Sequence, residues 1–253
     1  MHRLRNKKCI FSQLLLRRQT IKKYEVTVMK TQNKRRNFRM IIINIIGILV
    51  LCFGIIALRL VYLSSATTGV SIAKYDSPKS ALLVTDIQND TLGISEYGNT
   101  EPLIANINTA IEYANDSEME IIYVKQEFTR NPLDSLLSNG MYQAGSDGAD
   151  LYNELSIQSD NVFSKLRSDA FSSDHFENYL IENEIDTLYI VGADASGCVY
   201  KTALGGIKRG YRVFVLGDSL FSVKAGKLNT MLEKYQTKGI EITNIKDFTQ
   251  TQD

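Results

Sequence analysis

The sequence predicts an α/β protein: a three-layer open sheet of about six mostly parallel strands with helices on both faces, preceded by one transmembrane helix. Three observations carry this. From about residue 80 onward, short apolar runs alternate with stretches of helical spacing, the pattern of strands joined by crossover helices. Right-handed crossovers then place helices on both sides of the sheet. Ahead of that region, "MIIINIIGILVLCFGIIAL" (Met40–Leu58) runs for nineteen residues without a charge, long enough to cross a hydrocarbon core. Finally, the charge balance reverses on either side of this run.

Residues 1–39 hold thirteen Lys or Arg and one acid, Glu25. This basic leader is expected to stay in the cytoplasm, touching anionic lipid heads or remaining a disordered tail. The membrane segment is read as a signal-anchor helix over 40–63. That makes the chain a single-pass membrane protein with its C-terminal domain extracytoplasmic. "LSSA" (63–66) offers a cleavage site for a secretory signal, but the apolar run exceeds a usual signal core, which favours a permanent anchor. Leu51 stands where a lipid-modified Cys52 needs a small residue. Met29, just before "KTQNKRRNFR", offers a second start.

Residues 64–78 are polar, lack a hydrophobic period and read as a linker. Residues 79–253 form one domain, large enough for its own core. Strands are expected at "ALLVTD" (81–86), "MEIIYVKQ" (119–126), "DNVFSK" (160–165), "TLYIVGA" (187–193), "YRVFVLGD" (211–218) and the short "GIEITN". Helices are expected over 103–115, from Asp174 with Glu177 as a capping box, over 197–210 and over 224–236. Beyond residue 60 the chain carries a net charge of about −12, which argues against nucleic acid as a partner.

Ligands of open parallel sheets bind beyond the carboxyl ends of the strands. Asp86, Gln126, Lys165, the turn before Cys198 and Asp218 all stand at such ends. Cys9 lies in the leader and Cys52 in the span, so neither can pair with Cys198, and a lone thiol in an oxidising compartment suggests use. Singly, each residue has an ordinary reading: cysteine as apolar filler, aspartate as turn former, lysine as surface charge. Together they make a nucleophile's company. The helix beginning near Gly197 and the Lys165 ammonium would favour the thiolate. Asp86 could take the thiol proton and return it to a leaving amine. Backbone N–H groups in the turn could hold an oxyanion. His175, the only histidine of the domain, reads as a surface or packing residue.

"ALLVTDIQND", then "KLRSDAF", then "VGADASGCVYKTALGGIKRGYRVFVLGDS" resemble the isochorismatase-like cysteine hydrolases, the nicotinamidase-related amidases, over about residues 80 to 220. The resemblance implies a catalytic triad of Asp86, Lys165 and Cys198. It also implies a cis peptide between Ala193 and Asp194, with the N–H groups of Asp194 and Cys198 as oxyanion hole, and homo-oligomeric assembly. Gln126 and Phe171, and Asp194 by its side chain, are candidates to shape the substrate pocket.

Three departures matter. The family commonly has an aromatic where Thr91 stands, and Thr-Asp where Ala195-Ser196 stand. Its nicotinamidase branch also carries a metal-binding Asp/His cluster after the second strand, where this chain reads "VKQEFTRN" without histidine. No metal and no other cofactor are therefore expected, which weakens nicotinamide as substrate. Cys198 argues against isochorismate, because the branch acting on it lacks the cysteine.

The reading is a membrane-anchored hydrolase cleaving a small amide or related C–N bond through a thioester. The alternatives are a non-catalytic binding or signalling domain on the same fold, and a redox thiol. Residues 127–158 are long enough for a lid, or are a variable surface loop.

Overall fold

The computed structural model describes residues 2–250 except 224. It divides into two compact units, Met1–Leu58 and Arg59–Asp253. Helix α1 (His2–Ser64) makes up the first and continues into the second. Its segment Ile21–Ser64 is long and apolar enough to cross a membrane, by length and composition. Ile42, Leu49, Val50 and Phe53 are exposed, and apolar side chains around a whole helix suit a hydrocarbon surrounding.

In the second unit, β1 (Lys79–Thr85), β2 (Glu120–Gln126), β3 (Val162–Lys165), β4 (Ile185–Gly192), β5 (Arg212–Leu220) and β6 (Glu241–Thr243) form one sheet. The order is β3-β2-β1-β4-β5-β6 and every neighbouring pair is parallel. The expected six-stranded parallel sheet is the observed one. Successive residues of a strand face opposite sides, and β1 shows why its run is apolar throughout. Ala81 and Leu83 enter one core with Phe176 and Leu180 of α5 (Asp174–Glu182), Val199 and Ala203 of α6 (Cys198–Ile207) and Tyr235 of α7 (Leu228–Gln236). Leu82 and Val84 enter the other core with Ile107 and Ile111 of α3 (Glu101–Asp116) and Phe248 of α8 (Ile245–Phe248). Each such fully buried Leu or Ile contributes about 1.5–3 kcal/mol.

The chain leaves β1 toward β2 and β3 on one side and later returns to β4, β5 and β6 on the other. The crevice beyond β1 is therefore the point where the strand order reverses, and strand-end residues on both sides can converge there.

Two local expectations are corrected. The capping box at Asp174 does not form: Ser173 is the N-cap of α5 with no side-chain cap bond, and Glu177 instead pairs with Arg209 at 2.7 Å. The helix expected over 224–236 starts later, as α7 after a short 3-10 turn, and residue 224 lies outside the described residues. The long connection 127–158 is stitched to the turn after β1 and to the short helix α2 (Asn89–Leu92). Gln88 Nε2 donates to Ala149 O at 2.7 Å, Asn89 Nδ2 to Asp147 O at 2.8 Å, and Tyr142 N to Asp90 Oδ2 at 2.6 Å. It also carries a short helix, α4 (Pro132–Leu137), capped by Asn131, whose side chain accepts from Asp134 N.

Candidate active site

Asp86 directly follows β1 with φ 56°. The left-handed region is costly for a residue with a side chain. Two bonds hold the turn there: Asp86 N donates to Val124 O at 2.8 Å, and Thr91 Oγ1 donates to Asp86 O at 2.7 Å. On the other flank, Gly192 ends β4 with φ +126°, and a Cβ there would lie 2.0 Å from Thr85 O. Only glycine lets β4 pass this close to the strand that delivers Asp86.

Lys165 ends β3, opposite Gln126 of β2, so its side chain must cross the end of β2 to reach Asp86. Strands lie about 4.8 Å apart, which calls for a long unbranched side chain. The ammonium arrives fully buried, 2.8 Å from Asp86 Oδ2 and 2.9 Å from Gln126 Oε1. Burial would lower the Lys165 value, but the Asp86 carboxylate and the Cys198 sulfur outweigh it and hold the amine above its ordinary range. Gln126 completes the clasp by donating Nε2 to Lys165 O at 3.1 Å and to Leu166 O at 2.7 Å. Its amide is engaged by the lysine strand, which gives Gln126 a supporting place behind Lys165.

Cys198 is the first residue of α6 and keeps part of its surface open. Burial pushes its thiol up to about 12; the Asp86 carboxylate adds to the rise and the Lys165 ammonium offsets part of it. This reverses the expected depressed thiol. A second negative charge beside Asp86 is disfavoured more strongly than Lys165 favours it. The same coupling names the exit for the thiol proton. Asp86 Oδ1 is buried with no hydrogen-bond partner recorded among the described residues, an acceptor for the neighbouring thiol. Moving the proton from sulfur to Asp86 leaves the total charge of the three groups unchanged, so a thiolate facing Lys165 arises internally rather than by loss to water.

The Ala193–Asp194 peptide is cis. Among the described residues, neither the N–H of Asp194 nor that of Cys198 donates to a protein acceptor; the first N–H groups of a helix have no partner inside it. The Asp194 carboxylate turns to its own loop. Oδ1 accepts from Ser196 N at 2.8 Å and Ser196 Oγ at 2.5 Å, and Oδ2 accepts from Val223 N at 2.9 Å. That arrangement leaves the side chain occupied with the turn before Cys198.

Phe171 is misplaced by the sequence reading. It is buried against Phe176 and Tyr211 with the Arg209 guanidinium 4.6 Å above its ring, inside the core under α6. Asp218 also stands apart from the site, accepting Ile245 N at the start of α8. His175 is exposed. Two tyrosines that the sequence reading passed over do stand at the site. Burial pushes the Tyr142 phenol up to about 12, with Asp86, Cys198 and Asp90 adding to the rise. Its hydroxyl lies 3.1 Å from Thr91 Oγ1; because that oxygen donates to Asp86 O, it accepts from Tyr142. Tyr97, packed edge-on to Phe221 at 5.2 Å, is likewise raised, by burial and then by Asp194 and other acidic neighbours including Cys198 and Asp86. Thr91 thus meets a phenol arriving from the distant connection.

An α/β sheet whose strand ends bring together a carboxylate, a buried ammonium and a thiol at a helix start defines a hydrolase-type fold. The isochorismatase domain family matches residues 80–247, and the chain belongs to that family. It is 23% identical over 175 residues to isochorismatase family protein 2A of Dictyostelium discoideum, covering 68% of this chain and 82% of that protein. It is 41% identical to N-carbamoylsarcosine amidase of an Arthrobacter species over 59 residues, 23% of this chain and 22% of that protein. Among solved structures, an isochorismatase-like hydrolase from Alkaliphilus metalliredigens superposes with TM-score 0.61 at 23% identity, covering 70% of this chain and 97% of the other. The pyrazinamidase of Pyrococcus horikoshii, solved with zinc, does so with TM-score 0.58 at 22% identity, covering 66% and 99%. At the end of β2 and beyond it, Lys125 pairs with Glu127 at 3.3 Å and Asn131 caps α4. Among the described residues no group of three or more His, Cys, Asp or Glu could hold a metal ion.

Proposed function

We propose that this chain is a membrane-anchored cysteine hydrolase that cleaves a small amide or related C–N bond through a thioester at Cys198. The observation that carries the reading is the fully buried Lys165 ammonium, shared between Asp86 and Gln126, in the field of the Cys198 thiol. Burying an ammonium is costly without paired partners, and chemistry at the thiol is what such an arrangement serves.

In the reaction, Asp86 accepts the thiol proton and the thiolate, facing Lys165, attacks the carbonyl carbon. A carbon–sulfur bond forms, and the N–H groups of Asp194 and Cys198 hold the oxyanion. Asp86 returns its proton to the nitrogen as the C–N bond breaks and ammonia or an amine leaves. Water, deprotonated by Asp86, then attacks the thioester; the acid departs and the sulfur regains its proton. Tyr97 and Tyr142 line the approach and favour a small neutral substrate, because the resting site already balances one carboxylate with one ammonium. The helix Ile21–Ser64 holds the enzyme at a membrane, with the basic residues 1–39 in the cytoplasm and the hydrolase domain outside. A homo-oligomer is the expected form.

A panel of small amides assayed for ammonia release tests the reading. Turnover by the wild type and none by Cys198→Ala supports it. Equal release by both, or binding without turnover across the panel, favours a non-catalytic domain.

A further inference from the structure

Residues 64–78 read as a linker, yet the chain from Arg59 onward is fastened to the catalytic fold at three places. The first is the connection that carries Tyr142. The Arg59 guanidinium grips Asp134 of α4 in a bidentate pair, Nη2 to both carboxylate oxygens at 3.0 Å and Nε to Oδ1 at 3.2 Å. Asp134 is 1% exposed, so removing the arginine leaves a carboxylate buried with only Thr129 and Asn131 to hold it.

The second place is the loop directly after Lys165. Arg167 donates to Tyr62 O at 3.0 Å and to Ser65 O at 3.0 Å, and its guanidinium lies 4.6 Å over the Tyr62 ring. Ser168 N donates to Leu63 O at 2.8 Å. Both Thr67 N and Thr67 Oγ1 donate to Asp169 Oδ2 at 2.6 Å. Asp169 is fully buried and presses on α6, where a Cβ at Gly205 would lie 2.7 Å from its oxygens. The next residue, Ala170, donates its N–H to Thr202 Oγ1, one turn beyond Cys198, at 3.0 Å. Further along, Gly69 lies so close to Arg209 that a Cβ would meet Nε at 2.5 Å, and Ile72 N donates to Arg209 O at 2.8 Å.

We propose that Arg59–Ile72 is a positioning strap: by clasping Asp134 and Asp169 it sets the connection bearing Tyr142 and the loop between Lys165 and the Cys198 helix, so the site is complete only while this segment is attached. Its residues act through others and touch no reacting atom. Proteolysis within Leu63–Ala66 would release the domain from its helix and, by removing Arg59, Tyr62 and Leu63, loosen the site at the same time. The inference rests on the hydrolase reading for its consequence in catalysis, but its geometric content can be tested without a substrate.

The test uses the full chain in detergent micelles, with Cys9 and Cys52 replaced by serine and a specific protease site replacing Leu63–Ala66. The protein is folded intact and then cut, and the alkylation rate of Cys198 by iodoacetamide across pH is followed before and after. A displacement of about 1 Å at a reacting group changes rates on the order of tenfold to a hundredfold, and a change of that size on cutting is expected. Arg59→Gln and Thr67→Val in the uncut natural sequence should move the profile the same way. Thr67→Ser, and Arg59→Asp combined with Asp134→Arg, should restore it. A cut chain that keeps the intact profile and unfolding midpoint overturns the proposal. So does a profile shifted by Arg59→Gln that the charge exchange fails to restore. Failure of the hydrolase reading would be seen separately, as no ammonia release from the intact chain.

Discussion

Lys165 Nζ lies 2.8 Å from Asp86 Oδ2, although the two residues are 79 positions apart and each ends a different strand. The pair is buried, so its partners cannot be exchanged for water. Lys165→Met removes the cation and strands a buried carboxylate. Loss of one partner of such a pair costs about 3–5 kcal/mol. Denaturant unfolding of the variant should show a loss of that size, unlike Lys125→Met, whose pair is half-exposed and whose loss should cost less than about 1 kcal/mol.

Gln126 holds Lys165 from behind. Gln126→Ala deletes the acceptor at Nζ and leaves Lys165 O and Leu166 O without their shared donor, an expected cost of about 1–3 kcal/mol. On a substrate found by the amide panel, kcat should fall while KM stays near the wild-type value. A rise confined to KM would mean that the amide meets the substrate after all.

The pH dependence of stability follows from the thiol. Its folded value is raised from 9.0 to about 12. Between those values the unfolded chain releases the proton and the folded chain retains it, so stability is full below pH 9 and declines as pH rises through the window. Cys198→Ser, which does not titrate there, should flatten that decline when unfolding midpoints are measured from pH 8 to 11.

At Gly192 a side chain has nowhere to go: φ is +126° and the space is filled by Thr85 O. Gly192→Ala should destabilise the domain by more than about 3 kcal/mol, measured by denaturant unfolding. Gly226→Ala, where a Cβ meets nothing within 4 Å, should change it little.

The sheet was legible because each strand is a short apolar run bounded by polar turns, and both faces of such a run are buried by helices. The three groups Asp86, Lys165 and Cys198 were legible because each sits at the end or start of an element that periodicity locates. What stayed hidden depends on contacts between residues far apart in sequence. Thr67 and Asp169, or Arg59 and Asp134, are polar residues in unremarkable surroundings, and nothing local tells that they meet. Glu177 matched a capping box at short range, but Arg209, thirty-two positions on, took its carboxylate. Phe171 stood in a family motif near Lys165, yet its ring turns into the core rather than the site. Tyr142 could have been noticed only as an aromatic within an otherwise Gly- and Ser-rich connection. The thiol's upward shift was missed because the cation and the helix start were weighed without the burial of the sulfur and the repulsion of the carboxylate beside it.

The central claim is that Cys198 gives its proton to Asp86. Its most direct test is the pH profile of Cys198 alkylation, in a chain with Cys9 and Cys52 as serine, compared with the Asp86→Asn variant. The wild type should show no step at the ordinary thiol value and a rise only toward about pH 12, above a constant rate at neutral pH. Asn at position 86 should abolish that neutral rate and, with the carboxylate gone, bring the step downward. Superimposable profiles for the two proteins would contradict the account.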